Sequence, residues 1–394
     1  MYLTSEEEKV FNGEKGEVEE RLIKLLVNLG EIYGADRLIP IGSAQVSGIS
    51  YKSLGDPGLE FLEDIADKGA KVSVLTYINP AGMDLENWRE LGFSEDFAEH
   101  QMRIIDAFRK MGMVITATCT PYLCGNVPRF GEHVAWAESS AISFVNSVIG
   151  ARTNREGGPS ALAASIIGKT PNYGLHLNEN RKAQLVIDVQ TELHDSDWGA
   201  LGYLAGTIAK NRIPYFRGLK NARTDELKAL GAAMAASGAV ALYHAEGITP
   251  EASVQSVEGL EETSIGRKEI DEAYNKLNTG KEPDLIVIGC PHASMEEIAK
   301  VAKAVEGRKL KKPLWVCTSR ALKEVSNRMG YTQSIENAGG KVVADTCMVV
   351  SPIEDMGFKT TAVNSGKAAC YLPGFCKQNV VFKSIEELIR GALA

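Results

Sequence analysis

The chain has 394 residues, of which 44% are hydrophobic and 24% charged, so we expect a large buried core divided among two or three lobes. The net charge of −8, with both signs mixed along the chain, excludes an electrostatic footprint for nucleic acid or an anionic membrane. The N-terminus is too polar for a signal peptide, and no apolar run approaches the roughly 20 residues that span a bilayer. These features predict a cytoplasmic protein whose seven cysteines are free thiols, catalytic groups or metal ligands.

Helical and strand-like patterns alternate along the chain. Apolar residues at helical spacing predict a helix over 15–34, and a strand over 38–41 opens into a polar loop over 42–50. The next predicted elements are a strand over 71–78, a helix near 95–111, a strand that ends at Cys119 and a helix near 136–149. Further strands are predicted at 184–189, 239–244, 285–289, 314–316 and 342–344, with helices between most of them. This alternation is typical of an α/β architecture with largely parallel sheets.

Two polar stretches interrupt the pattern, at residues 151–182 and 246–282. Both are predicted to be lobe boundaries or insertions that help to form a site, and the second, rich in glutamate, is expected to be mostly solvated helix. The sequence contains no clear internal repeat and no glycine-rich nucleotide-binding loop.

Three cysteines follow apolar runs that are far apart in the chain. Cys119 ends MVITATC, Cys290 ends DLIVIGC, and Cys347 ends KVVADTC. Ligands of open α/β sheets bind beyond the carboxyl ends of the strands, so these three thiols could converge on one point. Three soft thiolates suit an iron–sulfur cluster or zinc, and three protein ligands leave one position of a catalytic metal open.

Packing is the alternative interpretation of each cysteine, because buried cysteine also serves as a small apolar residue. It suits Cys317 best, since the neighbours of this residue continue a strand. Loop packing is expected for Cys370 and Cys376, and Cys124 could instead pair with the nearby Cys119.

Longer motifs surround these cysteines and connect them with a known family. They are NGEKGE, GSAQVSGISY, YINPAGMD, TCTPYLCGNVPRFGEHVAWAESSA, SVIGARTNREGGPSALAASIIGKTPNYGLH, IGCPHAS and NSGKAACYLPG. Together they resemble the catalytic large subunit of the aconitase X family, a branch of the aconitase superfamily of iron–sulfur dehydratases. The resemblance runs nearly end to end and implies an aconitase-like, multi-lobe α/β core that lacks the swivel domain.

The resemblance implies a cluster held by Cys119, Cys290 and Cys347. Ordinary aconitases place two of their ligands in a CxxC pair, whereas the three cysteines here are dispersed. A 4Fe–4S cluster is the expected cofactor, and a cluster of lower nuclearity or a single iron stays open.

Members of this family are dehydratases, so the implied substrate is a small hydroxy acid. Archaeal two-subunit members convert (R)-5-phosphomevalonate to trans-anhydromevalonate 5-phosphate in a mevalonate pathway of isoprenoid biosynthesis, and bacterial relatives dehydrate cis-3-hydroxy-L-proline. The resemblance also implies a separate small swivel-domain subunit, which would form a heterodimer with this chain and supply a serine as the base. A zinc-binding scaffold without activity is the alternative that uses the same thiols.

The residues expected around the substrate lie in loops at the same predicted sheet edge or in the motifs of the resemblance. They offer backbone N–H groups, hydroxyls, a carboxylate and an ammonium group, which suit an anionic hydroxy acid. These residues are Gly48, Ile49, Ser50, Asn79, Pro80, Glu138, Ser139 and Lys367, of which Glu138 and Ser139 are the candidate catalytic residues near the metal. A surface salt bridge for Lys367, and helix caps or ordinary turns for the others, are the alternative interpretations.

A glycine-containing segment, residues 154–165, is a second candidate for anion binding. Pro159 follows two glycines at a predicted helix start, where exposed N–H groups together with Arg152 and Arg155 could hold a phosphate. The alternative is a plain helix start after a loop. His133 and His292 receive no assignment.

Overall fold

Parallel strands joined by helices build most of the protein, in a computed structural model that describes residues 1–220 and 222–393. The predicted α/β class with largely parallel sheets is confirmed. Within the described residues, no helix is both long and apolar enough to cross a membrane.

The N-terminal part of the chain packs helices around a small parallel sheet. Its strands are β1 Leu38–Pro40, β2 Ser43–Val46, β3 Leu75–Ile78, β4 Ala135–Trp136 and β5 Lys169–Pro171. Its helices are α1 Ser5–Phe11, α2 Glu17–Ile32, α3 Tyr51–Asp67, α4 Trp88–Leu91, α5 Glu95–Lys110, α6 Ser139–Phe144 and α7 Gly158–Ile167. The parallel order β3-β2-β4 is called the first sheet, and β1 pairs antiparallel with β5. Apolar faces of α2, α3, α5 and α7 form the core of this part.

The middle part holds a second parallel sheet. Its strands are β6 Leu185–Val189, β7 Pro214–Arg217, β8 His244–Ala245 and β9 Glu262–Ile265, and its helices are α8 Asp197–Ala209, α9 Thr224–Gly238 and α10 Arg267–Leu277. The strands run in the order β8-β7-β6-β9. Glycine lets α8 approach α9 closely, because a Cβ on Gly202 would lie 2.5 Å from the Leu230 backbone oxygen.

The C-terminal part is built on a third parallel sheet, covered by apolar clusters on both faces. Its strands are β10 Leu285–Ile288, β11 Leu314–Thr318, β12 Lys341–Ala344, β13 Thr360–Val363 and β14 Asn379–Phe382. Its helices are α11 Met295–Val305, α12 Arg320–Arg328, α13 Tyr331–Asn337, α14 Gly366–Cys376 and α15 Ile385–Ala392. The strand order is β12-β11-β10-β13-β14, with every pair parallel.

Shorter helical turns connect these elements. Single turns of 3-10 helix lie at Pro121–Cys124, Gly174–His176, Asn178–Arg181 and Ala252–Val254, and a π-helical turn continues α6 over Val145–Ile149.

Two local predictions in the N-terminal part are wrong. The polar segment 42–50 is not all loop, because β2 within it is the central strand of the first sheet, with Ser43 and Gln45 buried. The apolar run before Cys119 is not a strand. It makes a single bridge between Val114 and Tyr77 and then bends, since Ala117 has a φ of 41°.

Elsewhere the predicted elements differ in extent. The strand predicted at 239–244 is formed only at His244–Ala245, and β13 and β14 were not predicted. The stretch 246–282 is helical mainly over Arg267–Leu277 and contains a strand, so the expectation of mostly helix is wrong. The proposed lobe boundaries at 151–182 and 246–282 stay predictions.

A buried arginine joins the N-terminal part to the middle part. The Arg181 side chain is 3% exposed, and its Nε donates to both carboxylate oxygens of Glu251 at 3.0 and 2.9 Å. Its terminal nitrogens donate to the side-chain and backbone oxygens of Asn146 and to the backbone oxygen of Leu175, at 3.0–3.1 Å. One guanidinium therefore satisfies acceptors from both parts.

Replacing Arg181 with methionine should lower the free energy of unfolding by about 3–5 kcal/mol, because the variant leaves the Glu251 carboxylate buried without its cation. Chemical denaturation followed by circular dichroism measures the change. The matched control is Arg103→Met, which removes an exposed pair in which Nε and Nη2 of Arg103 donate to the two carboxylate oxygens of Glu63, at 2.9 and 2.8 Å. The control should lose far less stability, and equal losses would contradict the role given to Arg181.

Candidate active site at two facing sheet edges

The carboxyl ends of the first and third sheets face each other. Hydrogen bonds cross between the loops at these ends. For example, Ser50 Oγ donates to the Val350 backbone oxygen at 2.8 Å, and the His292 N–H donates to Cys119 Sγ at 3.2 Å. The loops beyond the first sheet carry residues 48–50, 79–80 and 138–139, and those beyond the third carry residues 290, 347 and 367. The predicted site residues therefore come from two opposed edges rather than from one.

Three buried thiols lie where these edges meet. Cys119, Cys290 and Cys347 are each 6% exposed, and all seven cysteines of the chain are free. Cys290 and Cys347 interact thiol to thiol, which raises the pKa of Cys290 well above its usual value and lowers the pKa of Cys347. Burial, followed by the negative charge of Glu138, raises the pKa of Cys119. The charge of the nearby Cys347 raises it as well. The three sulfurs thus share one buried region.

The donor set of this region fits an iron–sulfur group. Soft thiolates are the usual protein ligands of such clusters, and binding would release the thiol protons. The Lys367 ammonium acts on all three thiols in the direction of a lower pKa, against the burial that raises the pKa of Cys119 and Cys290, and so favours their ionised form. Across residues 1–220 and 222–393, no three His, Cys, Asp or Glu side chains already have the spacing of ligands around one ion. The thiols therefore converge without forming a ready-made single-ion site.

A buried ion pair accompanies the thiols. Glu138 and Lys367 are 5% and 6% exposed, and the Lys367 ammonium donates to Glu138 Oε1. Glu138 also caps α6, since its Oε2 accepts from the Ala141 N–H at 2.8 Å and from Ser140 Oγ, while Ser139 Oγ donates to Oε1 at 3.3 Å. Burial alone would raise the pKa of Glu138, but Lys367 and these hydrogen bonds outweigh burial and hold the pKa below its usual value. A surface salt bridge is therefore the wrong interpretation of Lys367.

Two asparagine oxygens at the facing edges have no hydrogen-bond partner. Oδ1 of Asn79, after β3, and Oδ1 of Asn364, after β13, are both buried and unpaired within the described residues. Pro80 is buried next to Asn79. Buried polar atoms are nearly always paired in folded proteins, so these two oxygens are available to accept a hydrogen bond from a ligand.

The predicted loop after β2 is held by contacts of its own. Gly48 has a φ of 77°, which favours glycine, and Ile49 is 1% exposed. The Ser50 hydroxyl accepts from the Lys52 N–H at 3.2 Å, as the cap of α3, while donating to Val350. The hydroxyl of Ser50 therefore already has protein partners, and backbone N–H groups are what this loop offers a ligand.

Other predicted residues have different contacts. Arg152 donates to the His176 backbone oxygen at 3.0 Å and to Asn178. Arg155 lines a separate cleft of about 680 Å³, and Cys124 donates to Ser319 Oγ at 3.2 Å. The phosphate-binding role of the two arginines stays a prediction.

A cleft of about 1340 Å³ lies at the carboxyl ends of β6 and β14 and is lined by residues such as His194, Asp197 and Lys300. These residues differ from those at the thiols. Buried charge and converging sulfur atoms, rather than the size of a cleft, therefore locate the candidate site.

A charged network beside the site was not predicted. Asp84 is fully buried, and Oδ1 accepts from Arg320 Nη2 at 2.6 Å while Oδ2 accepts from the Ala344 N–H at 3.0 Å. Arg320 also pairs with Asp345, whose backbone oxygen accepts from the Ala81 N–H at 2.8 Å. The network joins the loops that follow β3 and β12. Its sequence signal is a charged residue just after an apolar run, as at Asp345.

His292, to which the sequence assigns no role, has a fully buried ring that lies between the cysteine loops. Nδ1 lies 3.0 Å from Thr118 Oγ1, and Nε2 lies 3.0 Å from the Thr346 backbone oxygen. Burial lowers the pKa of His292 to about 4. The imidazole is therefore neutral at physiological pH. The one sequence feature that points to these contacts is the position of His292 directly after Cys290-Pro291.

Comparison with known proteins agrees with this geometry. Family models match three successive regions: the aconitase X first domain at residues 1–179, the second domain at 183–275 and the third domain at 283–394. A protein of Methanocaldococcus jannaschii named phosphomevalonate dehydratase large subunit is 61% identical, covering 99% of this chain and 100% of the relative. A protein of the same name from Methanothermobacter thermautotrophicus is 54% identical, covering 99% and 98%.

A solved structure matches over the same length. The crystal structure of Thermococcus kodakaraensis aconitase X in its holo form superposes with a TM-score of 0.94 and 48% identity, covering 100% of both chains. A more distant relative, cis-3-hydroxy-L-proline dehydratase of Pseudomonas aeruginosa, is 33% identical, covering 97% of this chain and 68% of the relative. With three domain models in order and near-complete alignment to such relatives, this chain belongs to the aconitase X family.

Proposed function

We propose that the chain is the large, catalytic subunit of a phosphomevalonate dehydratase. It would convert (R)-5-phosphomevalonate to trans-anhydromevalonate 5-phosphate and water, in an archaeal-type mevalonate pathway that leads to isoprenoids. The observation that carries the proposal is the meeting of three buried thiols with the buried Glu138–Lys367 pair. The names of the relatives at 61% and 54% identity support the substrate.

Dehydration of cis-3-hydroxy-L-proline is the second candidate, with the same chemistry. The chain covers 68% of the Pseudomonas relative with this activity in its name, against 100% of the Methanocaldococcus relative. Both identity and coverage therefore favour the phosphorylated substrate. A zinc scaffold without activity has no support from relatives that are named as dehydratases.

We assign the cofactor as an iron–sulfur cluster, 4Fe–4S, that Cys119, Cys290 and Cys347 would hold. When bound, it would supply a Lewis acid for the departing hydroxyl at a position that no protein ligand takes. A cluster of lower nuclearity and a single iron are the alternatives that spectroscopy of the loaded protein separates. Seven free thiols agree with a reducing cytoplasm, where we place the protein.

Lys367 is the group of this chain that best suits the substrate carboxylate. Burial alone would lower its pKa, but Glu138 and the neighbouring thiols raise the pKa above its usual value, so the ammonium keeps its charge. Glu138 stays ionised and orients Lys367, and its Oε1 can accept a hydrogen bond from the substrate hydroxyl or from water, together with Ser139. The Asn79 oxygen and the N–H groups of the 48–50 loop complete the proposed binding set.

The base that removes the proton alpha to the carboxylate is assigned to a serine of a small swivel-domain subunit. The words "large subunit" in the relatives' names support a small partner, with which this chain would form a heterodimer. With the base on the small subunit, the present chain would bind the substrate and assist the departure of water.

Each of the variants Cys119→Ser, Cys290→Ser and Cys347→Ser should retain less than about one hundredth of the iron that the wild type keeps under chelator challenge. Loss of a ligand should exceed the 10–100-fold cost of losing an outer-shell partner. Anaerobic reconstitution with iron and sulfide, followed by iron and sulfide analysis, measures the effect. The control is Cys317→Ala, a fourth buried thiol in β11, which should load normally. Normal loading of any of the three serine variants would remove that cysteine from the ligand set.

Lys367→Met should lower kcat/KM per bound iron by about 10²–10³, the usual cost of removing one preorganised donor. Steady-state kinetics on (R)-5-phosphomevalonate with the small subunit present provide the measurement. Lys367→Arg should recover part of the activity, because it keeps the charge. Lys169→Met, which breaks the partly buried pair with Glu7, is the matched control and should leave kcat/KM unchanged. Wild-type kinetics for Lys367→Met would reject its role in binding.

The iron-loaded chain alone should show no measurable dehydration of either candidate substrate, because its base lies on the partner. Adding the small swivel-domain subunit should produce activity on (R)-5-phosphomevalonate, measured as the release of the unsaturated product. Iron content measured before and after each assay shows that the cluster persists without the partner. Full activity of the chain alone would overturn the assignment of the base.

A further inference from the structure

The three cysteine loops share one buried side chain. Thr118 directly precedes Cys119, and Thr346 directly precedes Cys347. The imidazole of His292 lies between these two threonines, with Nδ1 3.0 Å from Thr118 Oγ1 and Nε2 3.0 Å from the Thr346 backbone oxygen. His292 itself stands two residues after the third cysteine. The His292 ring therefore contacts the residues next to Cys119 and Cys347, and His292 itself belongs to the loop of Cys290.

The direction of these hydrogen bonds is defined by their partners. A backbone oxygen can only accept, so Nε2 carries the ring proton and donates to Thr346. Nδ1 then accepts from the hydroxyl of Thr118, whose oxygen in turn accepts from the Thr120 N–H at 3.2 Å. The ring is thus held in one tautomer and one orientation, without a free polar atom.

The backbone of His292 is held equally firmly. Its N–H donates to Cys119 Sγ at 3.2 Å, and its carbonyl oxygen accepts from Lys228 Nζ at 3.3 Å. Lys228 is buried and bound by Asp225 at 2.9 Å and by Glu297 at 2.5 Å, so it is itself fixed. Contacts from three directions therefore set the position of the ring relative to the sulfurs.

Metal ligands that are far apart in the sequence need a contact that fixes the distance between them. In a CxxC pair, one turn of chain sets the distance between two ligands, whereas Cys119 and Cys347 are 228 residues apart in the sequence. Their spacing depends on whatever side chain contacts both loops. Polar partners of this kind orient metal ligands, and their removal costs 10–100-fold in metal affinity.

We propose that His292 is a positioning residue, which sets the spacing of Cys119 and Cys347 around the cluster through its hydrogen bonds to Thr118, Thr346 and the Cys119 sulfur. This inference rests on the proposed cofactor and adds a residue that takes no part as a ligand. It assigns the histidine a structural task at the metal rather than the transfer of a proton.

The test compares iron release from reconstituted full-length chains. His292→Ala should release iron to a chelator about 10–100-fold faster than the wild type and should alter the visible circular dichroism of the loaded protein. His292→Gln, whose amide can still donate to Thr346, should lie between the two. The control is His244→Gln, which replaces another buried imidazole, bonded through Nε2 to the Arg181 backbone oxygen at 2.8 Å. The control should match the wild type in both measurements.

Thermal unfolding of the metal-free variants shows which of them fold. If His292→Ala does not fold, Thr118→Val decides, because it keeps the imidazole and removes the hydroxyl partner of Nδ1, together with the contacts of that hydroxyl to Thr120, and should also speed iron release. Wild-type release rates and spectra in the folded His292 and Thr118 variants would overturn the proposal while leaving the cofactor intact. A wild-type chain that takes up no iron would instead overturn the cofactor, and this inference with it.

Discussion

The buried ion pair between Glu138 and Lys367 is the interaction on which the arrangement of the candidate site depends. Glu138 caps α6 beyond the first sheet, and Lys367 lies in the first turn of α14 beyond the third, so the pair ties together two edges that are far apart in sequence. A buried charge is stable only beside its counter-charge, and breaking such a pair typically costs about 3–5 kcal/mol. Each residue therefore positions the other. The same pair places a positive charge next to three thiols.

Directional polar contacts, like this ion pair, fix the positions of the first and third sheets relative to each other. Apolar cores pack against each other with some tolerance, whereas a buried hydrogen bond permits little change in distance or angle. Arg320 links Asp84 with Asp345, and His292 links the loops of the cysteines, so both bridge the first and third sheets. The chemistry proposed for the site and the rigidity of the junction thus depend on the same residues.

Much of the secondary structure followed from local pattern. The helix predicted near 95–111 is α5, and the apolar run at 285–289 is β10, because burial on one face leaves a periodic signal and burial on both faces leaves a continuous apolar run. The pattern of apolar residues did not predict elements whose buried side chains are polar. Ser43 and Gln45 are polar but lie in a central strand, where distant residues bond to them: Trp136 Nε1 donates to Ser43 at 3.2 Å, and Gln45 Nε2 donates to the Thr118 backbone oxygen at 3.0 Å. Such partners leave no trace in the neighbouring sequence.

The sequence by itself determined the α/β class, the free thiols after apolar runs and, through long motifs, the family. Only the tertiary structure decided that Cys290 and Cys347, after β10 and β12, share one buried region with Cys119, and that Lys367 is buried rather than exposed. The reason is physical. Periodicity reports which face of an element is buried, but the order of parallel strands and the way two sheets face each other depend on contacts between residues hundreds of positions apart.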